Sequence, residues 1–190
     1  MKSWLKLTGI VILFSFQAFG ALRQTSITID PTVVNYDSLP DLIKSNLVNV
    51  GLVEDSTLNT SGNIGQTRTG YKLYAPIICK TSPAISTKKS LENMLNKKGV
   101  FASDPSAAKY VVDIVIRSFS LKETSKFFTQ TMDASMKFEV TITDPLDASK
   151  IRKFSVETTN SKTALDTTKY AEEVIQTALK NILLEILKSL

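Results

Sequence analysis

The amino-acid sequence predicts an α+β domain: an antiparallel sheet with one wet face, covered by a short helix and a long C-terminal amphipathic helix. Between Asp133 and Thr143 the apolar residues Ala134, Met136, Phe138, Val140 and Ile142 alternate without a break with Asp, Ser, Lys, Glu and Thr. That two-residue period belongs to a strand with one face buried and one in water. From about Thr168 to Ser189 the period changes: Ala171, Val174, Ile175, Ala178, Leu179, Ile182, Leu183, Ile186, Leu187 and Leu190 recur at three- and four-residue steps, opposite Glu172, Glu173, Lys180 and Lys188. This is an amphipathic helix. Its stripe and the half-wet sheet each need a cover, so the helix is expected on the sheet's inner face rather than in a coiled coil or on a membrane surface.

The remaining elements are read in chain order. Residues 1–20 have the layout of a secretory signal peptide: Lys2 and Lys6, an apolar run from Leu7 to Phe16, then Ala18-Phe19-Gly20 with small residues three and one before a cut. The run is about half the ~20 residues that span a bilayer. A periplasmic protein of residues 21–190, folded as a single domain, is therefore expected. The alternative is an uncleaved segment that keeps the chain at the membrane. Residues 26–34 read as a short strand near an edge, because Pro31 cannot donate to a ladder. Residues 46–54, with Val48, Val50, Leu52 and Val53, read as a more buried strand.

From Asp55 to Gly70 the composition turns to Ser, Thr, Asn and Gly and predicts a loop of about sixteen residues, functional or mobile. Its glycines fit neither a Walker loop nor a dinucleotide fingerprint. Tyr71 to Cys79 is extended again. Ser86 to Lys98 reads as a helix opened by a Ser/Thr pair and closed by Gly99, with Leu91, Met94 and Leu95 inward. Asp104-Pro105 marks a capped turn. Tyr110 to Leu121 is a strand with Val112, Ile114 and Ile116 on one face. Asp144-Pro145-Leu146-Asp147 supplies a hairpin turn into Ile151 to Thr159, where Phe154 and Val156 point inward.

Composition excludes more chemistry than it suggests. The chain has no histidine and one cysteine, Cys79. That rules out a histidine-based triad, a Cys/His zinc site and an internal disulfide. Without Lys2 and Lys6 there are 21 basic and 18 acidic residues, a mild net +3. Lys88-Lys89 and Lys97-Lys98 flank the short helix without interleaved aromatics, which fits a solvated face better than a nucleic-acid groove. Glu54 with Asp55, and Glu172 with Glu173, are adjacent acids explained by surface solvation. Cys79, in an apolar strand, reads as a small buried hydrophobe. No catalytic, metal-ligating or cofactor-binding residue is expected, and no cofactor.

Three segments together carry a family resemblance: the stretch Ile64-Gly65-Gln66-Thr67-Arg68-Thr69-Gly70, the helix end Leu91-Glu92-Asn93-Met94-Leu95-Asn96-Lys97-Lys98-Gly99-Val100, and the strand Ala108-Lys109-Tyr110-Val111-Val112-Asp113-Ile114-Val115-Ile116. With the hairpin and long helix that follow, this order resembles the YajG family of uncharacterised bacterial envelope lipoproteins. The resemblance runs from about Val50 to Leu190. It implies an α+β periplasmic domain with no established enzymatic activity, normally tethered by lipid, and transfers no site residue. The family's lipid-bearing cysteine would stand where this chain has Ala21, so no lipid anchor is visible. The expected function is a non-enzymatic envelope module that binds a protein or envelope component through a sheet edge or the loop 55–70. The alternative is a periplasmic carrier of a lipid or other apolar ligand.

Overall fold

The computed structural model describes residues 25–28, 40–42, 46–57, 62–70, 73–125, 129–164 and 170–190. The predicted signal segment and residues 29–34 of the first predicted strand lie outside the described residues. The strands are β1 (Thr25–Ile27), β2 (Val48–Asp55), β3 (Asn63–Gly70), β4 (Leu73–Cys79), β5 (Tyr110–Ser125), β6 (Gln130–Asp144) and β7 (Asp147–Ala164); the helices are α1 (Pro83–Lys98) and α2 (Ala171–Lys188). Six strands run in the order β1-β4-β3-β5-β6-β7, and β2 lies beside the first half of β5. The α+β class is as expected. Antiparallel pairing holds for β3–β4 and the β5–β6–β7 meander, whereas β1–β4, β2–β5 and β3–β5 are parallel.

The meander is the frame. Along β6, Met132 to Ile142 bury every second side chain against the helices. β5 follows the same rule through Val112, Ile114 and Ile116, then inserts Arg117 as a bulge, because Ile116 pairs with Phe138 while Ser118 pairs with Lys137. One extra residue reverses the faces, so Phe119 and Leu121 point inward beyond it. Two tethers hold the bulged side chain: its guanidinium donates to Glu139 at 2.7 Å and to Ser56 at 3.3 Å. The hairpin turn at Pro145-Leu146 is fixed by Asp144, whose carboxylate accepts from the Leu146 amide at 3.0 Å.

α2 lies over β6 and β7. Its inward residues Val174, Ile175, Ala178, Leu179, Ile182, Leu183, Ile186 and Leu187 are buried, in one cluster with Leu91, Met94 and Leu95 of α1 and the inner face of the sheet. Hydrogen bonds from β7 strap the helix along its length. Arg152 donates to the Ser189 carbonyl at 2.7 Å, Asn160 to the Val174 carbonyl at 3.1 Å, and Lys162 to Glu173 at 2.6 Å. Arg152 thereby satisfies a carbonyl that the helix end leaves without an internal partner.

Two expectations are corrected. The stretch predicted as a loop over 55–70 is largely strand: Asn63–Gly70 form β3, seated between β4 and β5. What holds it is non-local. Gly65 sits so close to β5 that an added Cβ would lie 1.7 Å from the Leu121 carbonyl oxygen. Buried Glu123 accepts from the Thr67 hydroxyl and, at 3.1 Å, from the Arg68 amide. The second correction is the start of α1, which begins at Pro83, three residues before Ser86. Proline suits the first helical turn, where its missing N–H has no partner to lose. Ser86 and Thr87 do not cap the helix. They lie on its buried face with Ser90, and among the described residues none of the three hydroxyls has a hydrogen-bond partner. Gly99 closes α1 in the left-handed region, as expected.

Candidate interaction surfaces

Several of the residues that the sequence singled out have a structural task, whereas Glu54 and Lys89 are simply exposed. Cys79 is buried and its thiol donates to the Thr81 carbonyl at 2.8 Å. Asp55 accepts from the amide and the hydroxyl of Thr57, closing the turn after β2. Glu173 pairs with Lys162, while Glu172 is exposed in the first turn of α2, where acids complement the helix dipole. The lysines of α1 do not form one patch. Lys88 donates to the Gly51 carbonyl at 2.9 Å, Lys89 is exposed, and Lys98 lies 3.4 Å from Asp41.

The Gly51 contact belongs to a second bulge, where β2 carries one extra residue between Val50 and Val53. Its displaced backbone groups find side chains instead of a strand. Lys88 takes the carbonyl, and the Leu52 amide donates to Asp113 at 2.7 Å. An added Cβ on Gly51 would lie 2.3 Å from that Asp113 oxygen.

Charged groups elsewhere are held in their ordinary charged states. The hydrogen bond from Lys109 keeps the Asp144 carboxyl below the usual carboxylate range, aided by the Leu146 amide, and raises Lys109 in return. Arg117 likewise lowers Glu139 and is itself raised. Ser149 and Lys150 lower Asp147, and Ser106 lowers Asp104. All six stay charged at neutral pH, held so by their ion pairs and turn contacts. Among the described residues, no group of three or more Cys, Asp or Glu side chains is arranged to hold a metal ion.

Two open surfaces stand out among the described residues. The first is a groove of about 280 Å³ at the C-terminal end of α2, walled by Leu42, Val48, Tyr110, Leu187 and Leu190, with Lys188 at its side. Beside it the Tyr110 ring carries the Arg152 guanidinium 5.4 Å from its centroid and the Lys109 ammonium at 5.9 Å, both within cation–π range. The second is the outer edge of β7, which among the described residues pairs only with β6. From Ile151 to Ala164 this pairing has no bulge, and the strand contains neither proline nor glycine. Arg152, Asn160 and Lys162, which decide how β7 grips α2, had no signal in the sequence beyond their even spacing on one strand face.

No family model matches this chain, and no curated protein matches it in sequence. Its fold is shared with solved proteins. Protein XCC0632 of Xanthomonas campestris, assigned to the DUF330 family, superposes with a TM-score of 0.58 at 15% identity, over 86% of this chain and 92% of that one. An uncharacterised protein superposes with a TM-score of 0.54 at 16% identity, over 87% and 98%. A minor lipoprotein from Acinetobacter baumannii gives 0.38 at 8% identity, over 78% and 93%. The first two establish a common fold. No helix among the described residues is long and apolar enough to cross a membrane.

Proposed function

We propose that this protein is a non-enzymatic component of the bacterial cell envelope, of the YajG-like type, exported through residues 1–20 and acting in the periplasm by binding a protein or envelope component. The observation that carries the reading is the closed space under α2. Eight inward side chains of the helix, from Val174 to Leu187, are no more than 2% exposed, so the fold keeps no cavity there for a substrate. What it offers instead lies outside: the groove at the end of α2 and the long edge of β7. The absence of histidine, which removes the histidine-based triads, supports the non-enzymatic part.

A second reading, a carrier of a small apolar ligand, is favoured by the walls of the groove. At about 280 Å³ it lies just under the roughly 300–1,000 Å³ of most small-molecule sites, which ranks this reading second. Site-specific photocrosslinking in the producing cell tests both. A probe at Asp41, beside the groove, should give a discrete protein adduct that a probe at Lys137, in the middle of the wet face, does not. Equal or absent adducts would sink the protein-binding reading. Native mass spectrometry of the protein from cells reports a carrier by a retained ligand mass.

A further inference from the structure

The edge of β7 carries two charges that its own fold leaves without an ion pair. Lys150 pairs with Asp147 and Lys162 with Glu173, and Arg152 is spent on α2. Lys153 and Glu157 are exposed and form no ion pair among the described residues, although Lys137 faces Glu157 across the ladder. They sit four residues apart on the wet face, too far apart along one extended strand to meet each other.

We propose that β7 pairs antiparallel with β7 of a second copy of this chain about a two-fold axis at Ser155, which places each Lys153 opposite the partner copy's Glu157. A two-fold normal to the sheet matches residues whose numbers differ equally from the centre and keeps each face on its own side. The choice of centre is then a matter of charge. Centring on Val156 sets Lys150 against Lys162. Centring on Glu157 sets that acid against itself and Arg152 against Lys162. Centring on Lys153 or Arg152 opposes like charges directly. Ser155 sets no like charges opposite each other and gives two complementary pairs.

The inner face agrees with this register. Phe154 lies opposite the other copy's Val156, twice by symmetry, and both residues are only half-buried in one chain. Apolar cross-strand pairs of this kind stabilise a ladder, as opposite charges do. The helices also fit. α2 covers β6 and β7, so with strands about 4.8 Å apart the two copies of α2 would run roughly 10 Å apart, an ordinary helix-packing distance. The edge has no bulge or proline to turn another strand away, and its charges, which would repel a strand in most registers, are complementary in this one.

Sedimentation equilibrium on the full chain, produced from its own leader, over about 1 to 100 μM tests the proposal. A monomer–dimer equilibrium is expected. Lys153→Glu replaces two attractive pairs by two repulsive ones and should weaken it by roughly tenfold or more. Lys153→Glu combined with Glu157→Lys should restore it. As a register test independent of charge, mild oxidation should cross-link Ser155→Cys, whose thiols face each other, and not Thr159→Cys. A chain monomeric throughout the range overturns the proposal. So does a dimer unaffected by Lys153→Glu, or one in which both cysteine variants cross-link alike.

Discussion

Replacing Gly65 by alanine should be among the most damaging single-methyl changes available to this chain. The new Cβ would lie 1.7 Å from the Leu121 carbonyl oxygen and 2.7 Å from its carbonyl carbon. These are backbone atoms of a central strand, so relief requires β3 to move away from β5 by on the order of 1.5 Å. That shift breaks the only parallel pairing between them, Gly65 with Leu121 and Gln66 with Lys122. It also withdraws Thr67 and the Arg68 amide from Glu123, a residue only 8% exposed. Net hydrogen bonds are each worth about 1 kcal/mol and a stranded buried polar group about 1–3 kcal/mol, so a cost of roughly 3–5 kcal/mol follows.

Gly51→Ala is the internal control. There the clash at 2.3 Å is with a side-chain oxygen of Asp113, which can rotate away at the expense of its bond to Leu52. That loss is about 1–2 kcal/mol. In urea, with a slope of about 2 kcal/mol per molar, Gly65→Ala should lower the midpoint by roughly 2 M and Gly51→Ala by under about 1 M. Amide exchange should quicken across β3 and β4 in Gly65→Ala before it does in α2. Equal midpoints for the two variants would refute the backbone-contact argument.

Three further outcomes can be checked. Ile182→Ala, at a position with no solvent exposure in the middle of α2, should cost about 2–5 kcal/mol in thermal or chemical unfolding. Ser90→Ala should raise stability by about 1 kcal/mol, since it removes a buried hydroxyl that has no partner among the described residues while keeping its Cβ; a loss of stability would show that the hydroxyl is paired. The third concerns pH. Asp144 titrates below its unfolded value, about 3.9, so its contribution is present above that value and is lost as pH falls through the lower folded pKa. Lys109 titrates above its own unfolded value, so the pair persists up to about pH 10. Asp144→Asn should lower the melting temperature at neutral pH and make its fall below about pH 4 shallower; an unchanged acid slope would remove the pair from the account.

The elements legible in the sequence are those whose pattern answers to a single neighbour. β6 alternates because one sheet face meets α2 and the other meets water, and α2 repeats because one side of it meets the core and the other meets water. β5 was legible up to Ile116, and the slip from Ile116 to Phe119 records the Arg117 bulge in the spacing itself. β3 was not legible. Among the residues of β3 whose side chains are described, Ile64 is the only large apolar one, and its stability rests on Leu121 and Glu123, more than fifty residues away. The capping role given to Ser86 and Thr87 missed the proline three residues earlier, which was the stronger start signal. The open surfaces had no local signature, because an edge is defined by the strand that fails to appear beside it.

α2 follows all seven described strands, and this order governs when the domain can first be stable. Until residues 171–188 are available, β5, β6 and β7 can pair by local hairpins, but Phe138, Val140 and Ile142 have no lid and Arg152, Asn160 and Lys162 have nothing to grip. A nascent or truncated chain therefore presents a wide adhesive surface and depends on chaperoning or rapid completion to stay in solution. The helix acts as a closing step: its arrival converts a sheet that sticks to anything into one that has a defined inside.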